Sequence, residues 1–256
     1  MKNNQKGATL IVVLIFLVLI TIIGTVAIRQ SMVGLNISTN AQVQQLLIQN
    51  SDSVFFQIEK PENFRNSILG VGMFGYNNNV SGKDKELVFC YRGDQNSLFD
   101  ISRASQVEWK EGATAPTNDS LGVAGYCDAT VQNTNWFTSG RRAVLTQVSV
   151  KFPTNNVGSP FSGRVSGTDG QTSKFEDSKP VKVFAVSIMP SLSNASRSDI
   201  NNCLRLKMNE VTIPKSISAS TISDTNKQDV TTCLKNLNVP FTTQVNDYVL
   251  AQESAS

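Results

Sequence analysis

The chain has 256 residues, with 23 Lys and Arg against 20 Asp and Glu, a formal net charge of +3 and no histidine. So even a balance gives no general attraction to nucleic acid or to acidic surfaces, and the lack of histidine removes Ser-His-Asp and Cys-His nucleophile systems and most catalytic zinc sites. The reading is of a protein that is not an enzyme and has no cofactor, a Ser-Lys pair being a nucleophile system that leaves no spacing signature.

The first element runs from Ala8 to Ile28, twenty-one residues without a charge. As a helix at about 1.5 Å per residue it is roughly 30 Å long, the thickness of a bilayer's hydrocarbon core. Leu10 to Ile20 are apolar all round, so no face is left to meet water. Lys2 and Lys6 precede the run and Arg29 follows it, which keeps the amino terminus cytoplasmic and exports the rest. Thr25-Val26-Ala27 has the form of a secretory cleavage site, but the run far exceeds the roughly 7 to 15 apolar residues of a secretory signal.

Helical signals continue to Lys60, with no proline before Pro61 and apolar residues at Val33, Ile37, Ala41, Leu47, Ile48, Val54, Phe55 and Ile58. The predicted helix, 8–60, is roughly 80 Å long. Between Arg29 and Asp52 every polar residue is neutral, among them Asn36, Ser38, Asn40, Gln42, Gln44, Gln45 and Gln49. A solvated stalk would be laced with Glu and Lys pairs; a charge-free, half-apolar surface suits a helix packed among other helices. Gly24 and Gly34 each lower helix propensity by about 1 kcal/mol relative to Ala.

Lys6-Gly7-Ala8-Thr9-Leu10-Ile11, a basic leader ending in Gly, then a small residue and a long apolar helix, resembles the class III signal of type IV pilins and pseudopilins. The resemblance covers about the first sixty residues. It implies a leader of residues 1–7, cut by a prepilin peptidase between Gly7 and Ala8, with N-methylation of Ala8. Loss of Lys2 and Lys6 then takes the net charge from +3 to +1. It also implies a helix held in the bacterial inner membrane with its head in the periplasm until it enters a filament beside other minor pilins and the major pilin. Most pilins carry Glu at the fifth residue after the cut; here that position is Val12. A carboxylate in hydrocarbon needs a partner, so a subunit without one needs no neighbouring ammonium. Members lacking this Glu include the PilX-type minor pilins and the tip pseudopilins of type II secretion, placed at or near the tip. The implied role is a structural subunit that helps to prime pilus assembly and offers a surface for adhesion to a host or other ligand. The alternatives are a tip pseudopilin and a plain membrane-anchored periplasmic binding protein.

Residues 61–256 are expected to form an α+β, β-rich globular head carried by the pilin-like helix. Phe64–Tyr76 reads as a connector. Strands are predicted at Glu86–Arg92, Gln106–Lys110, Arg142–Phe152 and Pro180–Met189, the last two with period-two alternation and many β-branched residues. Glu111–Gly122 reads as loop, and Pro153–Lys179 as a long turn-rich loop.

Cys90, Cys127, Cys203 and Cys233 all follow the apolar run, and an even count in an oxidising compartment argues for two disulfides. Three pairings are open; Cys90–Cys127 with Cys203–Cys233 is favoured because it closes each half of the head on itself. No CxxC accompanies the cysteines, which argues against zinc. Asp199-Ile200-Asn201-Asn202-Cys203-Leu204 is echoed by Asp229-Val230-Thr231-Thr232-Cys233-Leu234, and each reads as a short helix with Asp in its first turn. Gly167-Thr168-Asp169-Gly170 with Glu176 and Asp177 has oxygen ligands for calcium but not the regular spacing, and reads as a turn. Arg141 with Arg142, and Arg205 with Lys207, are scattered basic pairs that argue against DNA as a partner.

Overall fold

The computed structural model describes residues 6–78, 84–93, 95, 97–130, 138, 143–152 and 179–250. Helix α1 spans Lys6–Ile58. The chain divides into two compact units, Met1–Gln45 and Leu46–Ser256. In the first, the described residues form helix alone. Its apolar side chains from Leu10 to Ile28 are exposed, and α1 is long and apolar enough, by length and composition, to cross a membrane.

The second unit is α+β. Its sheet contains β1 (Glu86–Tyr91), β2 (Ser105–Val107), β3 (Leu145–Lys151), β4 (Lys179–Ile188) and β5 (Phe241–Leu250), in the order β2-β1-β3-β4-β5. Every pairing is antiparallel. Because successive strand residues point to opposite faces, the sheet sorts its side chains into two layers. Leu87, Phe89, Val148, Val150, Val181, Val183 and Ala185 meet Val54, Phe55 and Ile58 of α1. On the other face Leu145, Val186 and Ile188 meet α4 (Arg197–Leu206) and α5 (Val230–Asn236).

Two short helices, α2 (Pro61–Ile68) and α3 (Met73–Asn77), stand where a connector was expected. Pro61 sets both boundaries: Lys60 before it is extended, with φ −60° and ψ 130°, as the residue preceding a proline prefers, so α1 ends at Ile58. Pro61 itself occupies the first turn of α2, where its missing N–H costs nothing. The chain then folds back tightly; a Cβ on Gly75 would lie 1.9 Å from the Leu69 carbonyl oxygen.

The expected strand Gln106–Lys110 is also displaced, to Ser105–Val107. Glu108 leaves the ladder to exchange hydrogen bonds with Thr117, at 2.9 and 2.7 Å, and Trp109 turns inward to donate Nε1–H to the Ala113 carbonyl at 2.7 Å. Ladder pairing starts at Leu145 in the Arg142–Phe152 segment and covers Lys179–Ile188 in the next, Lys182–Ile188 against β3 and the whole length against β5. Strand β5, for which there was no expectation, is as long as β4.

The two echoed segments are helices, but in different frames. Ser196 caps α4, its Oγ accepting from the Asp199 N–H at 3.0 Å and donating to Asp199 Oδ2 at 2.6 Å, so Asp199 lies in the first turn. In α5 Asp229 is itself the cap and accepts from the Thr232 N–H at 2.7 Å, a correction to the expected first-turn position. Disulfides join Cys90 to Cys127 and Cys203 to Cys233, the latter linking α4 to α5.

Candidate functional site

Gly7 and Ala8 lie in the backbone of α1 near its start. Val12 is 50 % exposed, in a surface made of Leu10, Ile11, Val13, Leu14, Ile15 and Phe16. The hydroxyls of this segment are satisfied from within: Thr21 Oγ1 donates to the Val18 carbonyl and Thr25 Oγ1 to that of Ile22, each at 2.8 Å. Such back-bonding removes the cost of placing a bare hydroxyl in an apolar medium. From Ala8 to Ser51 the sole charged residue is Arg29.

The last turns of α1 belong to the second unit and are fastened to the sheet by polar as well as apolar contacts. Ser51 Oγ donates to Ser187 Oγ at 2.8 Å; Ser187 and Thr146 share a hydrogen bond at 2.9 Å; Thr138 donates to Thr146 at 2.7 Å. All four residues are buried. Near the surface, Gln244 Nε2 donates to Asp52 Oδ1 at 2.8 Å and the Tyr248 hydroxyl to Glu59 Oε1 at 3.2 Å.

The opposite face of the sheet carries a buried polar row from β3. Gln147 donates to the Leu204 carbonyl and accepts from the Cys127 N–H, at 2.9 and 3.1 Å. Ser149 Oγ donates to Glu86 Oε2 at 2.8 Å. The Glu86 carboxylate also accepts from the Asn209 and Glu210 backbone N–H groups, at 2.9 and 2.8 Å, and from Asn209 Nδ2 at 3.1 Å. Lys151 Nζ donates to the Glu210 carbonyl at 2.6 Å and to Thr212 Oγ1. Burial pushes the Lys151 ammonium below the ordinary lysine range, against the pull of Glu86 and Glu210. Ser149 and Lys151 thus share a face with a carboxylate between them, but Ser149, Glu86 and Lys151 are fully buried. A nucleophile must be reached by its substrate, so this arrangement fastens residues 204–212 to the sheet.

The disulfide halves are tied together by Asp128 and Asn201. Asn201 Nδ2 donates to Asp128 Oδ1 at 2.6 Å, and Asn201 Oδ1 accepts from the Ala129 N–H at 2.8 Å. Burial acts to raise the Asp128 carboxyl, but hydrogen bonds from Thr130 and Asn201 outweigh it and hold it below its usual range. Among the described residues no cluster of acidic, His or Cys side chains could hold a metal ion. Gly167-Thr168-Asp169-Gly170, Glu176 and Asp177 lie outside the described residues, as do Arg141 and Arg142.

Sequence reasoning missed a groove between α1 and β5, lined by Asp52, Phe55, Phe56, Glu59, Gln244, Val245 and Asn246. No protein-family model, curated protein or solved structure was found to match this chain.

Proposed function

We propose that the chain is a minor pilin of the PilX type, a non-enzymatic subunit of a type IV pilus that stands at or near the tip and helps to prime assembly. One observation carries the reading: α1 presents apolar side chains all round from Leu10 to Ile28, with Arg29 the sole charge from Ala8 to Ser51, directly after Lys6-Gly7-Ala8-Thr9. A helix of this kind is stable in lipid before assembly and among sister helices afterwards, since both environments are apolar and neither demands a counter-ion. Val12, in place of the customary carboxylate, fits a subunit with no neighbour ahead of it. The disulfide-bonded head suits the oxidising side of the membrane.

Mass spectrometry of the amino-terminal peptide tests the proposal, using protein from membranes and from sheared fibres. The expected chain begins at N-methylated Ala8 in both fractions. A chain that keeps Met1, or one never found in fibres, overturns it. A gene deletion that stops protein secretion while leaving pili intact assigns the subunit to a type II system instead.

A further inference from the structure

The two edges of the sheet are treated differently. Edge strand β2 has three residues, all buried, and Gly125 lies against it so closely that a Cβ there would meet the Ser105 nitrogen at 2.3 Å and the Val88 carbonyl oxygen at 2.4 Å. Strand β5 has ten residues and, among the described strands, pairs with β4 alone. Alternate residues of such a strand direct N–H and C=O away from the sheet, a template for another strand. Natural edges are commonly blunted by Lys, Pro or a bulge. Phe-Thr-Thr-Gln-Val-Asn-Asp-Tyr-Val-Leu has neither Lys nor Pro and a single charge, Asp247, and its ten residues pair one for one with β4 without a bulge.

The ground beside this edge is shaped for side chains. On one side lies the groove, with Phe55 and Phe56 between Asp52 and Glu59; Phe56 is 66 % exposed. Val245, which also lines the groove, and Val249 are 47 % and 66 % exposed. The groove lining has two carboxylates and no cation; Lys60 lies next to it with Nζ 5.3 Å from the centre of the Phe56 ring, yet among the described residues neither Asp52 nor Glu59 has an ion-pair partner. Gln244 Oε1, at the same place, is buried without a hydrogen-bond donor among the described residues.

We infer that β5 is a docking edge for an extended segment of a different protein, which adds a sixth strand and carries Lys or Arg at alternate positions facing Asp52 and Glu59. Backbone pairing supplies the attachment and the side chains the selectivity. Charge chooses the occupant. A second copy pairing through β5 brings no cation, since Phe241–Leu250 contains none, and neither does the segment Ala-Gln-Glu-Ser-Ala-Ser at 251–256. The inference stands on the second unit alone and does not depend on the role of α1.

The test uses the full chain in a non-ionic detergent and three fluorescent ten-residue peptides: alternating Val and Lys, alternating Val and Glu, and the Val-Lys peptide with Pro at every second Val. Saturable anisotropy is expected for the Val-Lys peptide alone, weakened at least about tenfold by the double charge reversal D52K/E59K. Hydrogen exchange should slow across 241–250 on binding and stay unchanged at 105–107. Glu59→Gln, which keeps a carbonyl acceptor for Tyr248, serves as a milder variant if the double reversal does not fold, and should also weaken binding. Equal binding of the proline-interrupted peptide, no binding of the Val-Lys peptide, or peptide-free dimers that V245K dissolves would each overturn the inference.

Discussion

The hydroxyl of Ser51 on α1 donates to the hydroxyl of Ser187 on β4 at 2.8 Å, and both residues are wholly buried. Ser187 is bonded in turn to Thr146, so the helix is keyed to the sheet at one register by a chain of neutral groups. Ser51→Ala removes the first link and leaves Ser187 paired with Thr146. The expected loss is about 1 kcal/mol. Ser187→Ala severs the chain at its centre and is expected to cost more, with the double variant costing less than the sum of the two. Denaturant midpoints of the full chain in detergent provide the check.

Glu86 offers a sharper case, because its buried carboxylate accepts four hydrogen bonds. Glu86→Gln places an amide where donors converge, so at least one backbone N–H faces another donor. A cost of about 3 kcal/mol or more is expected. Limited proteolysis should show residues 207–212 released first, since Asn209 and Glu210 are the groups that Glu86 holds.

The two disulfides close loops of similar length, with separations of 37 and 30 residues. Loop-closure entropy then makes them nearly equal, each contributing about 3 to 4 kcal/mol. Cys203→Ala with Cys233→Ala should therefore destabilise about as much as Cys90→Ala with Cys127→Ala. Cys127 and Cys203 are buried, so a reductant without denaturant should release few thiols over the time of a thiol assay, and both pairs should appear once the head is unfolded.

Acid should weaken the head partly through Glu108. Burial acts to raise its carboxyl, but hydrogen bonds from Lys85 and Ser120, with the charges of Lys85 and Lys110, prevail and hold it below the usual range. Lys85 Nζ lies 2.8 Å from Oε2 and Ser120 Oγ 2.6 Å from Oε1. A carboxyl depressed by folding stabilises above its unfolded value, about 4.3 for Glu, and that contribution fades as the pH falls through the folded value. Glu108→Gln should be less stable than the parent near neutrality, with the gap closing below about pH 4. Equilibrium unfolding at several pH values measures the gap.

Val12→Glu addresses the proposed tip position. The variant should still insert in the membrane, since on the proposed reading the position lies near one end of the span, where a carboxylate is least costly. Fewer fibres per cell are expected, because the new carboxylate then needs a partner ahead of it. Fibre counts by electron microscopy, at equal subunit levels in membranes, read the outcome.

How much of this was legible beforehand depended on whether a segment's pattern came from itself or from its neighbours. The apolar run of α1, the alternation of β3 and β4 and the two short helices that follow Ser196 and Asp229 are local signals, and the sequence carries them openly, although it put Asp229 one position too far into its helix. Strand β5 is half solvent-facing, so Thr242, Gln244, Asn246 and Asp247 dilute its apolar pattern; its partner β4 decides its state. The buried polar row Gln147, Ser149 and Lys151 looks like the outer face of a strand, since nothing in β3 announces that residues 204–212 will cover it. The groove beside β5 is built by residues nearly two hundred positions apart, and no spacing rule spans that distance. Pro61 was visible as a stop, but its second role as the start of α2 needed Gly75 to make the return turn possible.

The inward bonding of Thr21 and Thr25 has a last consequence. Each hydroxyl travels with its own acceptor, one helical turn back along the same rod. In the proposed assembly the segment can therefore exchange one oily solvent for another without either hydroxyl being stripped bare on the way, and that crossing breaks no bond of Thr21 or Thr25. Replacing either threonine by valine should leave the crossing unhindered, whereas an asparagine there would arrive with donors still looking for company.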